Sequence, residues 1–151
     1  IFTASGIKVL TAASTKDECT GMFGGKVKPD LLLTEVKVPE SVAIIFVGGN
    51  GARIYFDNPQ ALSLAKETIT EAKILGAICL APVILAKAGV LKDKKATVFS
   101  SEKTTLIKLG AKYTGKLVEQ DDNIITGSSP EAAQQFAETI SKLICESSAN
   151  D

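Results

Sequence analysis

One stretch of the chain joins a nucleophile to a backbone that could activate it. It reads Leu75-Gly76-Ala77-Ile78-Cys79-Leu80-Ala81-Pro82 and continues as Val83-Ile84-Leu85-Ala86-Lys87-Ala88-Gly89. An apolar run into a cysteine, with a proline three residues later opening a second apolar segment, spells a strand that turns sharply into a helix. At such an elbow the residues two before and two after the nucleophile approach each other and must be small. Here they are Ala77 and Ala81. The turn places Cys79 at a helix N-terminus, where free amides and the macrodipole favour a thiolate. The same residues also fit an inert cysteine packed in a core, because free cysteine is among the most buried residue types.

A second loop, Gly48-Gly49-Asn50-Gly51-Ala52, follows the apolar run Val42 to Val47. Three chemistries suit it. It could cradle a phosphate, but it matches neither the Walker spacing nor the dinucleotide fingerprint. It could be a plain tight turn. Or it could present a backbone N–H to an oxyanion forming beside Cys79, with the Leu80 amide as the second donor. The third reading is preferred, because both loops follow the most apolar strands and should lie side by side. Gly48, Gly49 and Leu80 are then the expected oxyanion contacts, and Asn50 fits either a substrate contact or loop surface. Arg53 and Tyr55 fit either a pocket lining or loop surface. Ser100 and Ser101 suit a helix cap better than a site donor.

The composition removes other chemistries. There is no histidine, which excludes an intrachain Cys-His dyad, a Ser-His-Asp triad and any histidine-based metal site. Cys19, Cys79 and Cys145 are odd in number and lack CxxC spacing, indicating a reduced, cytoplasmic protein without a disulfide framework. No metal or other cofactor is expected. The 17 basic residues balance 17 acidic ones, so no field points to nucleic acid or an anionic membrane. No apolar run is long enough to span a bilayer, and no signal peptide opens the chain.

These residues need a scaffold, and its elements are legible in order. Ile1 to Gly6 reads as the last turn of a helix closing on a C-cap glycine, and Ile7 to Ala13 as a strand. Asp17 to Gly25 is a loop or hairpin, Lys26 to Lys28 a short strand, and Leu31 to Val36 too short to classify by period. Val42 to Val47 suggests a central strand covered on both faces. Asn58-Pro59 starts a helix that runs to about Lys73. Beyond the elbow, Lys95 to Phe99 is strand-like and Ser101 to Leu109 helical. Ala111 to Tyr113, Lys116 to Glu119 and Asn123 to Thr126 are short strands. The last helix opens at Ser128-Ser129-Pro130-Glu131 and carries the stripe Ala133, Phe136, Ile140, Leu143, Ile144. Alternating strands and helices predict an α/β domain over residues 1–145, with a mainly parallel sheet, right-handed crossovers and a polar tail at 146–151. Sites in such sheets form beyond the carboxyl ends of the strands.

Val-Gly-Gly-Asn-Gly-Ala at 47–52 and Gly-Ala-Ile-Cys-Leu-Ala-Pro at 76–82 resemble the two signature loops of the ThiJ/PfpI superfamily of DJ-one-like proteins. The run from Leu85 to Lys92, then Lys95-Ala96-Thr97, Asp122 to Thr126 and the closing helix extend the resemblance over the whole chain. It implies a flavodoxin-like three-layer sandwich with a mainly parallel central sheet, and a homodimer or higher oligomer. It also implies a catalytic Cys79 with the Gly49 and Leu80 amides as its oxyanion hole. The implied chemistry is cofactor-independent action on small reactive carbonyls, of glyoxalase or deglycase type. The alternative is a redox-sensing stress or chaperone role, in which an oxidant converts the same cysteine to sulfenic or sulfinic acid. A peptidase ranks third. Peptidase-type members place histidine directly after the cysteine, where this chain has Leu80, and Ser100-Ser101 lies where some members carry another. Members of the family also begin with a strand and a helix bearing a glutamate that contacts the cysteine, so this chain reads as a fragment starting at the end of that helix.

Overall fold

The computed structural model describes residues 1–149. The chain forms two compact units, one of Phe2–Lys37 and the other of Val38–Asp151 with Ile1.

In the smaller unit, Thr3–Ser5 is a 3-10 turn closed by Gly6, whose φ of 76° is the left-handed cap expected from sequence. The expected strand at Ile7 to Ala13 shrinks to β1 (Ala12–Ala13). A hairpin follows, β2 (Cys19–Thr20) antiparallel to β3 (Lys26–Val27). Then β4 (Leu31–Leu32) pairs in parallel with β1. Asp30 ties the ends of this pair together, accepting from the Thr11 amide at 2.8 Å and the Thr11 hydroxyl at 3.1 Å. These two bonds hold the Asp30 carboxyl below its ordinary range.

The larger unit is built on one sheet. It contains β5 (Ala43–Phe46), β6 (Ile74–Ile78), β9 (Val118–Asp121) and β10 (Ile124–Gly127), in the order β5-β6-β10-β9. The first two pairings are parallel and the last is antiparallel. Outside that sheet, β7 (Lys95–Ala96) pairs in parallel with β8 (Lys112–Tyr113). The helices are α1 (Pro59–Thr70), α2 (Pro82–Lys87), α3 (Lys103–Lys108) and α4 (Ala133–Ala149). Asn58 caps α1 as its type and position require, its side-chain oxygen accepting from the Ala61 amide at 3.0 Å.

Three expectations change. The run 42–47 does not become a central strand. Among the described residues β5 is paired only with β6, so its residues stay half-buried and Val42 and Val47 are 54% and 72% exposed. An apolar run reports the tendency to be covered and says nothing of which partner covers it. The strand expected at 95–99 stops at Ala96, because the Thr97 amide turns to the Thr126 hydroxyl instead of a strand neighbour. The last helix runs on through Ala149, past the expected boundary at 145, while residues 150 and 151 of the expected tail lie outside the described residues. Its buried residues are Phe136, Ile140, Ser141 and Ile144; of the expected stripe Leu143 is half-buried and Ala133 exposed, and Ala132, in the 3-10 turn just before the helix, is buried instead.

Leu75 and Ala77 of β6 are fully buried. The intervening Gly76 is where α4 presses onto the sheet: a β-carbon there would lie 2.9 Å from Ile140 Cδ1 and 3.0 Å from Phe136 Cζ. A glycine in mid-strand lacks a side chain to pack, but here its absence lets two large side chains reach the strand that carries Cys79. No helix among the described residues is long and apolar enough to cross a membrane.

Asp121 links the sheet's edge to β7. It accepts from the Lys95 amide at 2.7 Å and pairs with Lys94 at 3.5 Å. The amide bond first, and the Lys94 charge after it, pull its carboxyl below the ordinary 3.8. A group with a depressed folded-state pKa contributes stability above its unfolded value and loses it as pH falls through the folded value. Asp121→Asn should therefore cost about 1 kcal/mol at neutral pH. Urea unfolding as a function of pH should show the two proteins converging only below about pH 4.

Candidate active site

The register of the parallel pair settles where the two signature loops meet. Phe46 lies beside Ala77, so continuing both strands by two residues brings Gly48 level with Cys79, one inter-strand spacing away. At that point β6 ends and the chain bends. Cys79 has φ of 62°, in the left-handed region that costs a non-glycine residue of order 1–3 kcal/mol. The bend is held from both sides: the Cys79 amide donates to the Gly127 carbonyl at 2.9 Å, and the Phe99 amide donates to the Cys79 carbonyl at 2.9 Å. Ala77 and Ala81, the small residues expected on either side of this bend, are both fully buried.

Gly48 meets the elbow from the neighbouring strand. A β-carbon on Gly48 would stand 2.6 Å from Cys79 Cβ, 2.7 Å from the Ile78 carbonyl oxygen and 3.2 Å from the Leu80 nitrogen. Only hydrogen fits in that gap. The next residue, Gly49, has φ of 93° and begins the turn into a 3-10 helix over Asn50–Tyr55. Such a conformation suits glycine, and it directs the loop away from the strand immediately after the contact with Cys79.

The structure also narrows the donors available. Pro82 has no amide hydrogen, the Ala81 amide donates to the Ile78 carbonyl, and Val83 and Ile84 donate to Leu80 and Ala81. The cysteine thus stands three residues ahead of a six-residue helix, not on the open first turn of a long one. The Leu80 amide has no acceptor among the described residues, while the Leu80 side chain is buried. The residue following the cysteine therefore offers the site its backbone alone. Neither the Gly49 amide nor the Asn50 side chain has a hydrogen-bond partner among the described residues. Asn50 itself is exposed at the start of the 3-10 helix.

Of the residues expected at the site, Cys79, Gly48 and Leu80 are brought into contact, Gly49 adjoins them, and Asn50 sits on the outer rim. Cys79 is half-buried, as is Cys19, and Cys145 is exposed. Ser101 does not cap α3. Ser100–Glu102 forms its own 3-10 turn and Glu102 takes the cap position without a capping bond. Sequence reasoning missed the backbone frame provided by Phe99 and Gly127, and the pairing of Arg53 with Glu102 at 3.0 Å. Gly127 directly after an apolar strand was a readable signal, but no feature of the sequence linked Arg53 to a residue 49 positions away.

The sequence profile of the DJ-1/PfpI family matches residues 1–143. An uncharacterised protein of Methanocaldococcus jannaschii is 40% identical over 147 residues, covering 95% of this chain and 72% of its own length. The deglycase PfpI of Pyrococcus furiosus is 33% identical over 125 residues, covering 83% of this chain and 75% of its own. A solved ThiJ/PfpI domain protein from Brachyspira murdochii superposes with a TM-score of 0.94 at 28% identity, over 96% of this chain and 84% of that one. The fold is the flavodoxin-like α/β sandwich of those structures.

Replacing Gly48 by alanine should lower stability by about 1–3 kcal/mol in urea unfolding, because two of the three atoms it meets are backbone and cannot rotate away. Gly51→Ala, where nothing lies within 4 Å, should leave the midpoint within error of the native protein.

Proposed function

The chain belongs to the DJ-1/PfpI family, and from that premise we propose that it acts on small reactive carbonyl compounds by covalent catalysis at Cys79, without a cofactor. The thiolate sulfur adds to the aldehyde carbon of a 2-oxoaldehyde, the carbonyl π pair moves to oxygen, and a hemithioacetal alkoxide results. The Leu80 and Gly49 amides stabilise that oxygen, where charge develops only as the bond forms. Transfer of the aldehyde hydrogen to the neighbouring carbon gives a thioester. Water then releases a 2-hydroxy acid and returns the thiol. The sum is addition of one water with no net oxidation.

One observation carries this reading: the left-handed elbow at Cys79 is closed against Gly48 and leaves the Leu80 amide without an acceptor among the described residues. A cysteine that served only to fill the core would need neither the strained backbone nor an unused donor beside it. The Pyrococcus furiosus relative, named a deglycase, adds support for carbonyl chemistry. Peptide hydrolysis is disfavoured, because the chain has no histidine to serve as the cysteine's base.

Methylglyoxal consumption by the native protein and by Cys79→Ser tests the proposal. The variant should lose at least about 100-fold in kcat/KM, the scale expected when a nucleophile is replaced by a far weaker one. Equal rates for the two proteins would defeat it.

A further inference from the structure

Two segments frame Cys79 through their backbones. One is the loop beginning at Gly48, the other the segment ending at Phe99. Each leads within a few residues to one member of a single ion pair. Arg53 lies in the 3-10 helix that continues the glycine loop, and Glu102 closes the turn that follows Phe99, its amide donating to the Phe99 carbonyl at 2.9 Å. Arg53 Nη2 donates to Glu102 Oε1 at 3.0 Å. The other carboxylate oxygen of Glu102 accepts from the Thr105 hydroxyl at 3.2 Å. The Arg53 guanidinium carbon also stands 5.7 Å from the centre of the Phe56 ring.

We propose that Arg53 and Glu102 are positioning residues for the Cys79 site: their ion pair clamps the glycine loop to the Phe99 segment and so sets the Gly49 amide relative to the cysteine.

The inference rests on the carbonyl chemistry proposed above, but its physical basis is separate. Ion pairs between two solvated side chains contribute little, because each surrenders side-chain entropy for a screened attraction. This pair differs on one side. The Glu102 side chain is only 13% exposed, against 50% for Arg53, and both of its oxygens are engaged. Glu102 also occupies the cap position of α3 without making a capping bond. Its two oxygens go to Arg53 and Thr105.

The need for a clamp follows from the contact it reinforces. The β5–β6 pairing brings Gly48 to the elbow, but Gly48 touches it with no side chain that could grip the loop there. Gly49 and Gly51 on either side of Asn50 are permissive backbone, a β-carbon on either would meet nothing within 4 Å, and the backbone bond there, from the Ala52 amide to the Gly49 carbonyl, stays within the loop. The nearest charged group along the loop that reaches another segment beside Cys79 is Arg53. Small displacements of an oxyanion donor lower the rate without altering ground-state binding.

Glu102→Gln keeps the side-chain shape while removing the charge, Arg53→Gln replaces the guanidinium by a shorter neutral amide, and both can be measured for methylglyoxal turnover and for deuterium uptake in residues 48–56. Each should lower kcat about tenfold with KM changed less than about twofold, and the double variant should be no slower than either single one. Arg53→Lys should recover most of the lost rate, and uptake over residues 48–56 should rise in both Gln variants. Native kcat in the single variants, losses that multiply in the double variant, or unaltered uptake would each overturn the clamp. If the native protein does not consume methylglyoxal, the carbonyl reading fails, and the deuterium uptake still decides whether the pair holds the loop.

Discussion

The close approach of Gly48 to the Cys79 elbow is the constraint on which the site depends. Two adjacent parallel strands end level with each other, and one of them turns into a strained left-handed residue. The neighbouring strand can accept that turn only if it offers no side chain where the bend protrudes. One hydrogen in place of a methyl group at position 48 therefore permits the cysteine, its amide neighbour and the glycine loop to share a single small volume. Interiors pack at crystal-like density, so this fit is sensitive to the addition of one carbon.

The remainder of the larger unit serves to hold the ends of β5 and β6 in that relation. Leu75 and Ala77 anchor β6 on one side, and Gly76 lets Phe136 and Ile140 of α4 press on the other. On the far side, β10 runs parallel to β6 and supplies the Gly127 carbonyl that ties down the Cys79 amide. Asp121, at the end of β9, carries the fastening outward to β7. The strain at Cys79 is thus opposed by contacts on three neighbouring segments, the usual condition for a disfavoured backbone conformation to persist.

In the proposed chemistry Cys79 acts without the histidine that commonly accompanies a nucleophilic cysteine. The site's polar resources are mostly backbone amides, whose direction is set by the turn geometry. That places the burden on loop position, because an amide has no side-chain torsion with which to adjust. The Arg53–Glu102 pair is the charged link between the two segments framing the cysteine, and its partial burial on the Glu102 side distinguishes it from the exposed pairs such as Lys142–Glu146.

The amino-acid sequence by itself determined the local features: Cys79 at a strand-to-helix bend between Ala77 and Ala81, the Asn58 cap on α1, the Gly6 cap, and the apolar stripe of α4. Each of these depends on residues within one or two turns of one another, where side-chain size, hydrogen-bonding capacity and backbone freedom act directly. Even the proximity of the two loops was legible, because strands of similar apolar character joined by one helix pair side by side. Tertiary structure alone decided the rest. The run 42–47 reads as fully covered, yet β5 has one sheet neighbour among the described residues, since hydrophobicity does not specify a partner. That Gly48 faces Cys79 depends on strand register. That Glu102 reaches Arg53 depends on two charges 49 residues apart meeting in space, an encounter that no local pattern encodes.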